Sequence, residues 1–115
     1  MWEGIYSAEQ AKRGAALYSN VCASCHGATL EGRGQAPELS GDEFTAKWDG
    51  MTVADVFERI QSSMPADRPG RLSTAQTAAI LAFILSVNKF PAAAAELPGD
   101  PARLRQIRFE AVRPK

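Results

Sequence analysis

Histidine occurs once in the 115 residues, as His26, beside only two cysteines, Cys22 and Cys25. A structural zinc site takes about four ligands, and these three residues fall short of it without recruiting carboxylates. Charge of one sign is also missing, with 13 Lys+Arg against 13 Asp+Glu. No polybasic surface points to nucleic acid. Long apolar runs are absent as well. A membrane span needs roughly 18 apolar residues, and the most apolar stretch, 78–87, is shorter and lies within an amphipathic pattern. Met1-Trp2-Glu3-Gly4 has neither the basic start nor the apolar run of a signal peptide, so an export signal is expected on a precursor. Internal repeats are lacking, and the four alanines 92–95 are the only low-complexity stretch.

What remains is an ordinary globular composition, 45% apolar and 23% charged, enough for one domain that gains from a bound cofactor. Its organising stretch is Cys22-Ala23-Ser24-Cys25-His26, the spacing by which a c-type haem is attached. Each thiol adds to one vinyl group of the porphyrin, and two intervening residues let both thioethers reach the same macrocycle edge. The next residue falls under the iron, where the His26 imidazole takes the proximal position. Three other readings of the motif exist. A disulfide needs no adjacent histidine and suits two helical cysteines three apart poorly. A thioredoxin-type pair expects a βαβ pattern, and zinc expects more ligands.

Along the chain, every element reads as helix or loop. Ser7 and Gln10 form a capping box opening a helix through about Asn20. Gly14 within it predicts a close helix crossing, with Tyr18 packing alongside. Gly27, Gly32, Gly34, Pro37 and Gly41 mark a loop, and a carbonyl near Pro37 is the expected acceptor for the second ring N–H of His26. Arg33 reads either as a propionate partner or as a solvated arginine. Trp48 precedes a helix capped by Thr52, with Asp55 in its first turn and Val53, Val56, Phe57 and Ile60 on its apolar face. Its indole is either core or a hydrogen-bond donor to a propionate. Ser73 and Gln76 make a second capping box, and the helix it opens runs to about Asn88. Its broad apolar stripe predicts packing on both the haem and the first helix. Residues 91–115 read as a tail, with a helix start at Asp100-Pro101 and Leu104 and Ile107 pinning it back on the body. Its arginines, Arg103, Arg105, Arg108 and Arg113, read as a solvated face.

With His26 proximal, a second histidine ligand cannot come from this chain. Methionine is the next donor. Met64 precedes Pro65, which favours an extended backbone, and lies 38 residues beyond His26, far enough to reach the other haem face. Met51 and an open site are the alternatives. A thioether favours ferrous iron and raises the reduction potential.

Cys22-Ala23-Ser24-Cys25-His26-Gly27, Ala36-Pro37-Glu38-Leu39, Trp48, Met64-Pro65 and Pro69-Gly70-Arg71-Leu72-Ser73 together resemble a class I c-type cytochrome, over about 7–88. The resemblance implies an all-α bundle wrapped around one covalent haem c, with crossing helices at the two ends of the domain, here residues 1–90. In the family Gly14 and Tyr18 stand at that crossing, and the Pro37 carbonyl orients His26. It implies an electron carrier, not an enzyme, in the periplasm or an equivalent extracytoplasmic space. The tail, with Leu97-Pro98 and Leu104 three before Ile107, is similar to that of cytochrome domains serving periplasmic quinoprotein dehydrogenases. The implied partners are such a dehydrogenase and a terminal oxidase, with no nucleic acid, no membrane span and a monomeric protein.

Overall fold

The first helix begins where the Ser7 side chain accepts an orphan amide and the Ser7 carbonyl accepts the first helical hydrogen bond. The Ser7 hydroxyl accepts from Gln10 N–H at 3.1 Å, and the Ser7 carbonyl accepts from Ala11 N–H at 3.1 Å. This α1, Ala8–Val21, belongs to a computed structural model that describes residues 4–21, 41–63, 73–94 and 96–110. The expected capping box is only half formed. Instead of returning to Ser7, the Gln10 amide donates to the Leu97 carbonyl at 2.9 Å and accepts from Leu97 N–H at 2.7 Å. A buried amide with both ends satisfied stabilises more here than an exposed cap contact, because leaving either end unmet would be costly.

Helix α2, Gly41–Trp48, has no counterpart in the sequence reading, since eight residues behind a glycine-rich stretch give no periodic face to detect. Helix α3, Val53–Ser63, starts at a reciprocal cap. Thr52 N–H donates to the Asp55 carboxylate at 2.8 Å, and Asp55 N–H donates to the Thr52 hydroxyl at 3.3 Å. Helix α4, Thr74–Val87, carries the full capping box expected of Ser73 and Gln76, with amide-to-side-chain distances of 3.1 and 2.9 Å. It is buried almost all round, from Thr77 to Ala82 and again at Ile84 and Leu85. That follows from its position between α1 and α3, both of which pack on it. Helix α5 is the single turn Pro101–Leu104, started by Asp100, whose carboxylate accepts from Ala102 N–H at 3.0 Å. Apart from one isolated antiparallel bridge, Thr52 with Arg108, the regular elements among the described residues are helices.

The α1–α4 crossing is the centre of the fold. A Cβ on Gly14 would lie 1.8 Å from the Ala79 carbonyl oxygen and 3.0 Å from the Phe83 Cβ, so the two backbones meet where only glycine fits. One turn on, the Tyr18 ring packs at 5.3 Å and a tilt of 51° against Phe83. The fold is therefore the all-α bundle with crossing terminal helices that the sequence predicts.

From Phe90 the chain circles this body. Tyr6 donates its hydroxyl to the Phe90 carbonyl, and Ala93 N–H donates to the Tyr6 carbonyl at 2.7 Å. Leu97, Leu104 and Phe109 are buried, and the Phe109 ring meets Phe90 edge-on at 5.5 Å. Burial holds the Tyr6 phenol above its ordinary pKa. The folded state thus keeps a proton there that the unfolded chain releases, so this contribution is complete below the ordinary tyrosine pKa and is lost as pH rises through the folded value. Alkaline titration of stability should therefore be shallower in Tyr6→Phe than in the natural chain. Equal slopes would show that this phenol is not coupled to folding.

Candidate functional site

Cys22, Cys25, His26, Arg33, Pro37 and Met64 lie outside the described residues. The structure instead defines the supports from which the chain reaches them. Helix α1 ends at Val21, one peptide bond before Cys22, and is held by α4 through Gly14 and Tyr18. Helix α3 ends at Ser63, one peptide bond before Met64. The two ends of the sequence-defined ligand set thus leave from different helices that both pack on α4.

Trp48, the remaining expected site residue, is the last residue of α2 and is 8% exposed within the core cluster. The Lys47 ammonium sits 5.5 Å from the centroid of its ring, within the range of a cation–π attraction. The structure therefore shows the core role of Trp48. Met51, the rival sulfur donor, is 41% exposed, and its backbone is taken up elsewhere. Phe109 N–H donates to the Met51 carbonyl at 2.7 Å, and Gly50 N–H donates to the Phe109 carbonyl at 2.9 Å. Gly50 makes this turn possible at φ +85°, a backbone state that side chains disfavour. Sequence reasoning missed this clip because backbone hydrogen bonds between residues far apart in the chain leave no mark on residue type.

The described residues offer no rival centre. No three His, Cys, Asp or Glu side chains among them come together to hold a metal, and no buried side-chain nitrogen or oxygen among them lacks a partner. The donor set of the sequence fits haem by its chemistry. Two thiols three apart suit two vinyl groups, and an imidazole beside them suits iron. Both follow a helix whose position is fixed by a backbone contact.

Residues 9–84 match the family described as cytochrome c oxidase, cbb3-type, subunit III. The chain belongs to that family. A cbb3-type cytochrome c oxidase subunit CcoP from Azospirillum brasilense is 34% identical over 101 residues, which cover 72% of this chain and 33% of the relative. Among solved structures, the sulfane dehydrogenase SoxCD from Paracoccus pantotrophus superposes with a TM-score of 0.58 at 27% identity. That match covers 85% of this chain and 52% of the other. The chain thus spans about a third of the length of the CcoP relative and about half of the SoxCD chain.

As a member of that family, the chain is a c-type cytochrome domain of the class I, all-α kind, with covalently attached haem c as its cofactor and electron transfer as its work. Cytochrome c domains of this kind are extracytoplasmic. No helix among the described residues is long and apolar enough to cross a membrane.

Proposed function

We propose that this chain is a single-haem electron carrier in which Cys22 and Cys25 hold the haem, His26 is the proximal ligand and Met64 the distal one. The observation that carries this reading is the Cys22-Ala23-Ser24-Cys25-His26 motif directly after a helix locked to α4 at Gly14. When bound, the haem supplies a one-electron ferrous/ferric couple; the chain supplies its ligands and keeps water out. Retaining both ligands in both oxidation states limits reorganisation on transfer. The Pro37 carbonyl orients the His26 ring by accepting its second N–H. Trp48 closes one side of the domain as core, and its indole N–H is a candidate donor to a propionate.

The proposed donor is a dehydrogenase, a periplasmic quinoprotein dehydrogenase in the first instance, and the proposed acceptor a terminal oxidase. The two comparisons support that pairing, one relative being a dehydrogenase and the other an oxidase subunit. Residues 1–90 are the proposed haem domain and 91–115 its tail, in a monomeric periplasmic protein that carries electrons and does not turn over substrate. Within this reading, stopped-flow mixing with a quinoprotein dehydrogenase gives fast haem reduction, and peroxide gives little turnover. Fast peroxide turnover by the intact protein would favour a haem enzyme instead.

The test of attachment is direct. Denatured in acid and organic solvent, the holoprotein should retain haem, and mass spectrometry of the chain should show one haem added. Cys22→Ser and Cys25→Ser should each leave a single thioether, and the double variant none. Haem that extracts freely from the natural chain, or two titratable thiols in it, would overturn the assignment.

A further inference from the structure

We propose that residues 97–110 form a strap that keeps Met64 on the iron by fixing helix α3; this rests on the reading of Met64 as distal ligand. Helix α3 has 11 residues, too few to persist in water without packing. It packs on α4 and on α5, and the strap supplies much more than α5. Val53 N–H, an orphan donor at the start of α3, donates to the Ile107 carbonyl at 2.8 Å. Thr52 and Arg108 form the antiparallel bridge, and Phe109 brackets the Gly50–Met51 turn from both sides. One turn into α3, Glu58 accepts from Arg105 at 2.6 Å. Beneath these contacts, Leu104 and Phe109 are completely buried.

The strap is itself anchored at its start, by the two hydrogen bonds of Gln10 to Leu97. It therefore ties α3 to the amino end of α1, passing on the way against the start of α4, where a Cβ on Gly99 would lie 3.0 Å from the Thr74 carbonyl oxygen. Local opening is governed by the contacts an element makes, not by global stability alone, and those of α3 are shared between α4 and the strap. The proximal residues Cys22, Cys25 and His26 follow α1, which the Gly14 crossing holds. Met64 follows α3. Loosening the strap should therefore release the distal ligand while the proximal attachment stays in place.

The test uses the full-length holoprotein with Leu104→Ala and Phe109→Leu on the strap, and Ala79→Gly at the α1–α4 crossing as a control. Three readouts are taken: the near-infrared sulfur-to-iron band on heating, helical circular dichroism on the same ramp, and carbon monoxide binding to ferrous protein. In the strap variants the band should disappear at a lower temperature than the helical signal. Carbon monoxide binding should accelerate by at least about tenfold in Leu104→Ala. Ala79→Gly should lower both transitions together and leave the binding rate unchanged. Should Leu104→Ala fail to fold, the milder Phe109→Leu and the surface Arg105→Ala carry the comparison. Coincident transitions with an unchanged binding rate in the strap variants would overturn the proposal. A natural chain without the band would overturn the ligand reading and this proposal with it. Amide exchange in α3 separates the two failures, since a strap that fixes α3 speeds exchange there when weakened, whatever ligates the iron.

Discussion

Gly14→Ala should destabilise the holoprotein by about 3 kcal/mol or more, although alanine is the better helix former by up to about 1 kcal/mol. At an ordinary position inside a helix the propensity gain would decide the sign. Here the added Cβ would stand 1.8 Å from the Ala79 carbonyl oxygen and 2.5 Å from its carbonyl carbon. Those are backbone atoms that no rotamer change can move aside, so α1 and α4 must separate along their length. Separation would uncover Tyr18, which is 1% exposed, and the Phe83 ring against it. A loss of this size is a large part of the roughly 5–15 kcal/mol that holds a domain of this kind together. Ala16, exposed on the outer side of α1, gives the contrast. Ala16→Gly should cost only about 1 kcal/mol, the helix penalty of glycine with no packing change. Denaturant unfolding of both variants checks the ordering. A Gly14→Ala protein as stable as the natural one would show that the crossing is looser than the structure has it.

That crossing was legible in the sequence because glycine inside an apolar helix face has few explanations, and Tyr18 four residues on supplied the second. The helix starts at Ser73 and Thr52 were legible for a similar reason: hydroxyl and carboxylate or amide three residues apart satisfy each other's backbone amides. Gln10 shows the limit of that reasoning. Its spacing from Ser7 suits a capping box, yet Leu97 offers a buried donor and acceptor side by side and takes the amide away. Tertiary partners of this sort lie far along the chain and are invisible to local pattern. The same holds for the path of the strap. Leu104 and Ile107 predict that the tail turns back, but Val53 and Met51 as its targets depend on backbone groups every residue possesses. Helix α2 escaped because Gly41–Trp48 is too short to show a period. At the haem site the legibility was of another kind. Thiol, thiol and imidazole at fixed spacing are dictated by the cofactor's chemistry, not by packing, so the motif is readable before any fold is known.

Met64→Ala should abolish the near-infrared sulfur-to-iron band of the oxidised protein, lower the reduction potential and admit cyanide or carbon monoxide, whereas Met51→Ala should leave all three nearly unchanged. The thioether is a soft donor that favours ferrous iron, so its removal withdraws that preference and leaves a coordination position for water or an added ligand. Alanine can supply no replacement donor, and the chain has no second histidine to take the place. Met51 is the informative control because it is the other interior methionine of the sequence and sits at the opposite, amino-terminal end of the same helix α3. Its side chain is 41% exposed, and the backbone contacts that fix its turn, with Phe109 and Trp48, survive truncation to alanine. Circular dichroism on both variants checks that the helices persist, so that loss of the band reports ligation and not unfolding. A band lost in Met51→Ala and kept in Met64→Ala would reverse the assignment. A natural protein lacking the band would return the distal position to water or an open site, and with it the peroxidase reading that a closed His26–Met64 pair argues against.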